Sequence, residues 1–284
     1  MTSAKELLRY AMKSRKKTRR SSAHYPFDKY ELYSEAVQSV ATDVDFYLQA
    51  YREFRGAKKK PATLREDFCA AGLLCKEWIM RGKNQKAVGL DLDEEPMQYG
   101  REKYLKNLTP DQKSRVILIK KNVLDRNLPK ANIIVAVNFS YYIFKSRDLL
   151  SRYYRSVQRS LKKDGIFIMD VFGGTQCTDI IEDRTKKKGF TYYWEQKSFD
   201  PISNEAQFAI NFRYQGQKYE NVFTYDWRMW SIPELRDLLM DSGFSKTHVF
   251  WEGTTRSGGG NGIFAQEEHG EPCLSWIAYI VAEK

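Results

Sequence analysis

The chain has 284 residues, of which 42% are hydrophobic and 29% charged, and this composition suits one large globular domain. No apolar run reaches the length of a membrane-spanning helix, and the first residues lack the apolar core of a secretion signal. The four cysteines form no CxxC pair and the three histidines are not at metal-ligand spacing, so we predict a reducing, cytoplasmic location and no metal.

The net charge of +11 is unevenly distributed along the chain. Residues 1–24 contain eight Lys or Arg residues and one Glu, a balance of +7, which leaves +4 for the rest by difference. We therefore treat residues 1–24 as a basic N-terminal arm. Such an arm binds nucleic acid in some proteins and is a solvated terminus in others, and the sequence leaves both interpretations open.

Residues 25–60 predict an N-terminal helical cap, because apolar side chains around Tyr47 fall on one broad helix face. From residue 61 onward, short apolar segments alternate with amphipathic helical segments. The candidate strands are ATLREDFC, KAVGLDLD, RVILIKKNVLD, ANIIVAVNFSYYIF and IFIMDVFGG. This order, β-α-β-α-β-β-α-β, predicts an α/β fold with a doubly wound, mostly parallel sheet that has helices on both faces.

The pattern changes at about residues 190–230, where polar and apolar residues alternate in three runs separated by PISN and GQK. These runs predict an antiparallel β insertion. SIPELRDLLMDSGF follows as a helix, with Ser231 as N-cap and Glu234 at the capping-box position. Two final strands, KTHVFWEG and LSWIAYIVAE, are predicted to be joined by a long Gly-rich loop. We place the main domain at residues 61–284.

The residues directly after the strands are candidate binding residues, because ligands of doubly wound sheets bind outside the carboxyl ends of the strands. Asp91 lies 19 positions after Gly72, close to the spacing at which an acid accepts hydrogen bonds from ribose hydroxyls. The turn from Cys69 to Gly72 consists of small residues, which let the backbone approach a ligand. Three of these four residues are not glycine, so we expect the turn to keep to conformations that alanine allows.

The first turn contains neither a Gly-Lys pair nor a GxGxxG pattern, which argues against triphosphate and dinucleotide binding. S-adenosylmethionine, a nucleoside cofactor without phosphates, fits the pattern. The alternative is structural: small residues at a strand-to-helix corner often serve packing alone, and Asp91 is equally typical of a helix start. The joint occurrence of these features in the right order favours cofactor binding.

These segments resemble the class I S-adenosylmethionine-dependent methyltransferases, and more narrowly a bacterial subgroup whose first motif reads roughly LREDFCGTA. The resemblance covers most of the chain and rests on YELYSEAVQ, LREDFCAAG, VGLDLD, NFSYYIFKSRDLL, GIFIMDVFGG and YDWRMWSIPEL. It implies a Rossmann-like methyltransferase fold, with a seven-stranded sheet and a reversed last strand. Aligned with the family's GxGxG pattern, Glu66 takes the acidic position, and Phe68, Ala70 and Gly72 take the glycine positions.

The cofactor site predicted in this way uses residues at the ends of four strands. They are Glu66, Phe68, Cys69, Ala70, Gly72, Asp91, Leu92, Asn122, Val123, Asn138 and Ser140. The predicted acceptor site uses side chains after the fourth strand and in the insertion, namely Tyr141, Tyr142, Arg228 and Trp230. For the tyrosines the alternative is core packing, and for Arg228 it is an ion pair within the scaffold. No catalytic residue is assigned.

The predicted function is in-line methyl transfer from S-adenosylmethionine to a small molecule, in which the enzyme holds donor and acceptor close and aligned. One alternative is a methyltransferase acting on RNA or a ribosome-associated protein, with the basic arm as its docking segment. The other is a non-catalytic module that binds the cofactor only. The sequence does not identify the methyl acceptor or the oligomeric state.

Overall fold

A computed structural model describes residues 25–255 and 259–284, so the predicted basic arm lies outside the described residues. The helices are α1 (Lys29–Val37), α2 (Val40–Arg55), α3 (Leu73–Met80), α4 (Glu94–Lys103), α5 (Pro110–Ser114), α6 (Arg147–Ser160) and α7 (Ile232–Asp241), with a 3-10 helix at Ser140–Ile143. The strands are β1 (Thr63–Asp67), β2 (Lys86–Asp91), β3 (Val116–Lys120), β4 (Ala131–Ala136), β5 (Leu161–Gly173), β6 (Glu182–Lys187), β7 (Phe190–Asp200), β8 (Glu205–Tyr214), β9 (Gln217–Arg228), β10 (Lys246–Thr254), β11 (Gly260–Gln266) and β12 (Trp276–Glu283).

The main sheet has the strand order β11-β10-β12-β5-β4-β1-β2-β3. Strands β1 to β5 run parallel, and β12 runs antiparallel to both β5 and β10. The prediction of a mostly parallel sheet in an α/β fold is therefore confirmed. Because β1 pairs with both β2 and β4, the chain reverses its direction of travel across the sheet at β1. The carboxyl ends of these strands form the crevice in which such sheets bind ligands.

The main sheet contains eight strands, so the expected number of seven is wrong. The additional strand is β11, which pairs antiparallel with β10 in the segment expected to be a loop. The start of β11 is rich in glycine, so its sequence lacks the alternating pattern that predicts a strand. The structure stabilises it through Phe264, whose ring packs against Phe46 of α2 and Tyr279 of β12.

A second, antiparallel sheet has the order β6-β7-β8-β9, and it confirms that the chain carries an antiparallel sheet beside the parallel one. It begins at Glu182, before the expected start at residue 190. The sequence of β6, EDRTKK, has no apolar alternation, and its side chains are mostly exposed. It is an edge strand that exists because its backbone pairs with β7 from Glu182 to Lys187.

The two N-terminal helices pack on different sheets. Helix α1 buries Leu32 against Ile210 and Phe212 of the second sheet. Helix α2 buries Tyr47 in the cluster on one face of the main sheet. The short link between the helices therefore ties the two sheets together near the carboxyl ends of the parallel strands.

Helix α7 begins as its sequence predicts. The Ser231 side chain accepts from the backbone N–H of Glu234, and the Glu234 side chain accepts from the backbone N–H of Ser231. Among the helices of the described ranges, none is long and apolar enough to cross a membrane.

Candidate active site

Neighbouring residues of the LRED segment point to opposite faces of β1, because side chains alternate along a strand. Arg65 and Asp67 form a buried bidentate ion pair, with N–O distances of 2.8 and 3.0 Å. The Tyr153 hydroxyl also donates to Asp67 at 2.9 Å. Both carboxylate oxygens of Asp67 are therefore used in contacts within the protein core. Glu66 lies on the other face of the sheet, which α2 and α3 cover.

Glu66 is buried, with only 5% of its surface exposed. Its Oε2 accepts a hydrogen bond from the thiol of Cys75 at 3.2 Å. The pKa of Glu66 is raised to about 8, mainly by burial. The hydrogen bond from Cys75 lowers this pKa and the nearby charge of Asp91 raises it, and both effects are smaller than that of burial. A positively charged partner beside this buried carboxyl would stabilise its ionised form and lower its pKa.

The turn after β1 has an unusual backbone. Phe68, Ala70 and Gly72 have φ values of 62°, 44° and 68°, all in the left-handed region. The turn thus uses a region that alanine is allowed to enter, as expected, but that it seldom adopts. These are the three positions that align with the glycines of the GxGxG pattern, so the glycine-poor turn keeps the conformation that glycine would adopt most easily.

Packing holds Phe68 in this conformation, whereas the exposed Ala70 is held by the hydrogen bond from its backbone N–H to Asp91. The Phe68 ring packs against Phe144 and Tyr153, with ring centroids 6.0 and 5.7 Å apart. A side chain at Gly72 would place its Cβ 2.6 Å from Leu118, so this position requires glycine for space as well as for φ. The ring contacts of Phe68 and the hydrogen bond of Ala70 offset the local strain.

The small residues of the turn also serve packing, as the structural alternative states. Cys69 is buried, and a Cβ added at Gly89 would lie 2.7 Å from its Sγ. A Cβ at Gly100 of α4 would collide with the carbonyl oxygen of Ala71. The side chain of Cys69 therefore points into the core, and only the backbone of this residue faces the crevice.

Asp91 lies at the end of β2, directly beside this turn. Its Oδ2 accepts from the backbone N–H of Ala70 at 2.8 Å, and its Oδ1 accepts from that of Asp93 at 2.8 Å. The backbone N–H of Leu92 also stabilises this carboxylate, which can accept about four hydrogen bonds in all and so has capacity for a ligand hydroxyl. Leu92, which follows, is 42% exposed at the mouth of the crevice.

The predicted residues after β3 and β4 are held by local hydrogen bonds. Asn122 Oδ1 accepts from the backbone N–H of Leu124 at 2.9 Å, and Val123 is buried. The backbone N–H of Asn138 donates to Asp170 at 2.6 Å. The Ser140 hydroxyl donates to the Val137 carbonyl at 2.7 Å. Ser140 therefore shapes the loop with its hydroxyl.

The two predicted acceptor tyrosines are fully buried. The Tyr141 hydroxyl donates to the backbone carbonyl of Asp170 at 2.7 Å. The Tyr142 ring packs against Phe172 and Trp227, with ring centroids 5.6 and 5.9 Å apart. These contacts correspond to the core-packing alternative.

Arg228, at the end of β9, links the second sheet to Lys145 and to α7, and it also contacts Trp230. The Arg228 guanidinium donates to the Lys145 carbonyl at 3.2 Å and pairs with Glu234 at 3.3 Å. It also lies 3.8 Å from the centroid of the buried Trp230 ring. Arg228 therefore makes the scaffold ion pair that the sequence analysis left as its alternative.

Glu66 belongs to an acidic cluster between α2 and the main sheet, and the sequence analysis did not assign the other members, Asp43, Tyr47, Asp170 and Tyr279, to the site. The Tyr279 hydroxyl donates to Asp43 at 3.1 Å, and β-pairing places Tyr279 directly beside Asp170. Burial raises the pKa of Asp43 to about 6 and that of Asp170 to about 7. Asp170 follows an apolar run and so carries a sequence signal, whereas Asp43 looks like an ordinary first-turn helix acid.

Aromatic side chains of α1 and the second sheet stand beside this cluster. Tyr225 and Trp227 of β9 have ring centroids 4.4 Å apart, and Trp227 lies 6.3 Å from Phe139 of the β4 loop. Burial raises the pKa of Tyr33 of α1 to about 12, although part of its surface stays accessible. We call Tyr33, Tyr225 and Trp227 the aromatic wall, which lies next to the β4 loop and the acidic cluster.

Other features of the structure lie away from the crevice. A surface cavity of about 570 Å³ borders the edge strand β3 and is lined by Arg101, Leu105 and Leu118 among others. Across residues 25–255 and 259–284, no group of three or more His, Cys, Asp or Glu side chains is placed to hold a metal ion.

Known structures share this fold. An S-adenosylmethionine-dependent methyltransferase from Clostridium acetobutylicum is 15% identical, with a TM-score of 0.64 over 90% of this chain and 98% of its own. A sugar N-methyltransferase from a Streptoalloteichus species is 15% identical, with a TM-score of 0.59 over 93% of this chain and 98% of its own. An amino pentose methyltransferase from Micromonospora echinaspora, solved with S-adenosylmethionine, is 12% identical, with a TM-score of 0.60 over 90% and 98%.

Comparisons of sequence alone give no further information. No protein-family model matches the chain, and no curated protein is similar to it in sequence. The similarity to solved structures therefore shows that the chain has the fold of these methyltransferases. It does not extend the resemblance to a particular subgroup.

Proposed function

We propose that the protein is an S-adenosylmethionine-dependent methyltransferase that acts on a small molecule. The observation that carries this proposal is the turn from Phe68 to Gly72, which has left-handed residues at its three glycine-equivalent positions and is hydrogen-bonded to Asp91. A packing corner needs no carboxylate at the end of the neighbouring strand. A nucleoside site needs both features, because the backbone must approach the ligand and an acid must accept from its ribose.

The residues present fit this donor. We assign Asp91 to the ribose hydroxyls and the loop of Asn122 and Val123 to the adenine. Glu66 would face the ammonium group of the donor's amino-acid part. When bound, the donor supplies an electrophilic methyl group on a positively charged sulfur. The contribution of the protein is to hold an acceptor in line with it and to exclude water.

A small acceptor fits the enclosure of the site. The second sheet and α1 contribute the aromatic wall of Tyr33, Tyr225 and Trp227, and such rings suit the body of a small acceptor. The solved structures named for sugar and amino pentose methylation support a small acceptor by fold similarity. A closed site also strengthens the polar contacts inside it.

The test is titration calorimetry with S-adenosylmethionine and its demethylated product. We expect both to bind, and we expect Asp91→Ala to weaken binding by about 1–3 kcal/mol, because ribose hydroxyls lose their buried acceptor. Asp111→Ala, at an exposed acid of α5, is the matched control and should not change the affinity. Unchanged affinity in Asp91→Ala would refute the site. Donor binding without turnover of any acceptor would indicate the non-catalytic module instead.

A further inference from the structure

The acidic cluster contains a polar atom without a partner. Tyr47 is fully buried, and its hydroxyl forms no hydrogen bond with any described residue. Burial raises the pKa of Tyr47, and the nearby Tyr279 and Asp43 raise it further. The Tyr47 ring lies 6.3 Å from the Tyr279 ring, between their centroids, which places Tyr47 in the cluster. A buried hydroxyl without a partner costs free energy, and a ligand bound in the cluster would supply the missing hydrogen bond.

The carboxyls of the cluster also lack positive partners. Among the residues that the structure describes, Asp43, Glu66 and Asp170 form no ion pair with a Lys, Arg or His side chain. Asp170 is held by two backbone N–H groups, and Asp43 by the Tyr279 hydroxyl alone. Hydrogen bonds of this kind orient a carboxylate but do not neutralise it. Burial favours the protonated form of these carboxyls in the free protein, and a bound cation would favour their ionised form.

The charges of the donor and of the cluster show how many carboxylates the donor alone can balance. The donor has two positive centres and one carboxylate, so it brings a single net positive charge. Glu66 alone balances that charge in the proposed donor site. Asp43 and Asp170, which both lie beside Tyr279, then remain without a cation, and burial raises the pKa of each. A second cation, carried by the acceptor, would balance them.

From this geometry we infer that the methyl acceptor is an amine, which binds as an ammonium ion against Asp43, Tyr47 and Asp170. The inference rests on the proposed function. The aromatic wall of Tyr33 and Tyr225 beside the cluster suits an apolar body attached to that ammonium, since rings attract cations and cover apolar groups.

The transfer step balances as follows. The ammonium gives one proton to a carboxylate of the cluster, which leaves a neutral amine with a free electron pair. The nitrogen forms a bond to the methyl carbon while the carbon–sulfur bond breaks and its electron pair goes to sulfur. The products are a methylated ammonium ion and a neutral thioether. The positive charge thus passes from sulfur to nitrogen, inside an acidic site that stabilises it.

The probes for the test are benzylamine and benzyl alcohol, which have nearly the same shape and differ in charge. Each is titrated by calorimetry into protein saturated with S-adenosylhomocysteine at pH 7. We expect benzylamine to bind at least about tenfold more tightly, the effect of one charge-assisted hydrogen bond. Equal binding of the two probes overturns the inference.

Two variants locate the binding to the cluster. Asp43→Asn should lower benzylamine affinity about tenfold and leave benzyl alcohol and donor affinities unchanged. Tyr47→Phe should also lower benzylamine affinity, yet leave the melting temperature equal or higher, because it removes a hydroxyl that has no partner. A purely structural Tyr47 would not affect the amine. Asp45→Asn, on the same helix but exposed, is the control and should change nothing.

The outcomes separate this inference from the proposed function. If Asp43→Asn weakens donor binding about tenfold, the cluster holds the donor's own ammonium, and the amine inference is wrong while the methyltransferase proposal stands. If the wild-type protein binds no donor at all, the proposed function fails first. That result is read in a separate titration without benzylamine.

Discussion

Glu66→Gln should change how the stability of the ligand-free protein depends on pH. Glu66 is buried without a basic partner among the described residues, and burial raises its pKa from an ordinary 4.5 to about 8. Below pH 4.5 the folded and unfolded states both hold the proton, so the charge has no effect. Between pH 4.5 and 8 only the unfolded state loses the proton, and stability falls as pH rises. Above pH 8 the loss levels off.

The size of the effect follows from this difference. Each pKa unit corresponds to about 1.36 kcal/mol, so ionised Glu66 costs up to about 5 kcal/mol of unfolding free energy at pH 8. Glutamine removes the titration, and its amide oxygen can still accept from the Cys75 thiol. The variant should therefore gain stability relative to the wild type as pH rises. Asp43 and Asp170 titrate in the same direction in both proteins, so they cancel in the difference.

The assay is urea denaturation of both proteins at pH 5, 6, 7 and 8, without and with S-adenosylmethionine. The gap between the curves should widen with pH in the absence of donor. It should narrow with donor present, because an ammonium group beside Glu66 lowers its pKa. Glu35→Gln, at an exposed acid of α1, is the control. A constant gap between the two proteins from pH 5 to pH 8 would refute the reasoning.

Two further predictions concern the β1 segment and its turn, both measured by thermal denaturation. Arg65→Met should destabilise the fold by about 3–5 kcal/mol, because it leaves the Asp67 carboxylate buried and unpaired, and adding Asp67→Leu should recover much of that loss. Ala70→Gly should leave the protein about 1 kcal/mol more stable than Ala71→Gly, since only Ala70 has a left-handed φ, of 44°. Equal stabilities would contradict the assigned strain.

The sequence by itself determined the features that depend on neighbours along the chain. The alternation of strands and helices follows from local periodicity, and it predicted the mostly parallel sheet. The start of α7 follows from Ser231 and Glu234, three residues apart. The place of Asp91 at the end of β2 follows from one apolar run. Its spacing from Gly72 correctly predicted that the turn and the acid lie side by side.

The sequence did not determine strands that exist through pairing alone. The residues of β6 are charged and those at the start of β11 are glycine-rich, so neither segment has the alternation that marks a strand. Each forms because a neighbouring strand offers unpaired backbone groups. The strand count therefore depended on tertiary structure.

Only the tertiary structure decided what the polar side chains contact. Arg228 pairs with Glu234, and Tyr141 with the Asp170 carbonyl, although both residues had seemed available to a substrate. Conversely, Asp43 gains its place in the acidic cluster from Tyr279, which lies 236 positions away in the chain. The burial and the electrostatic environment of a side chain depend on residues that come into contact only after folding, and local sequence patterns do not predict those contacts.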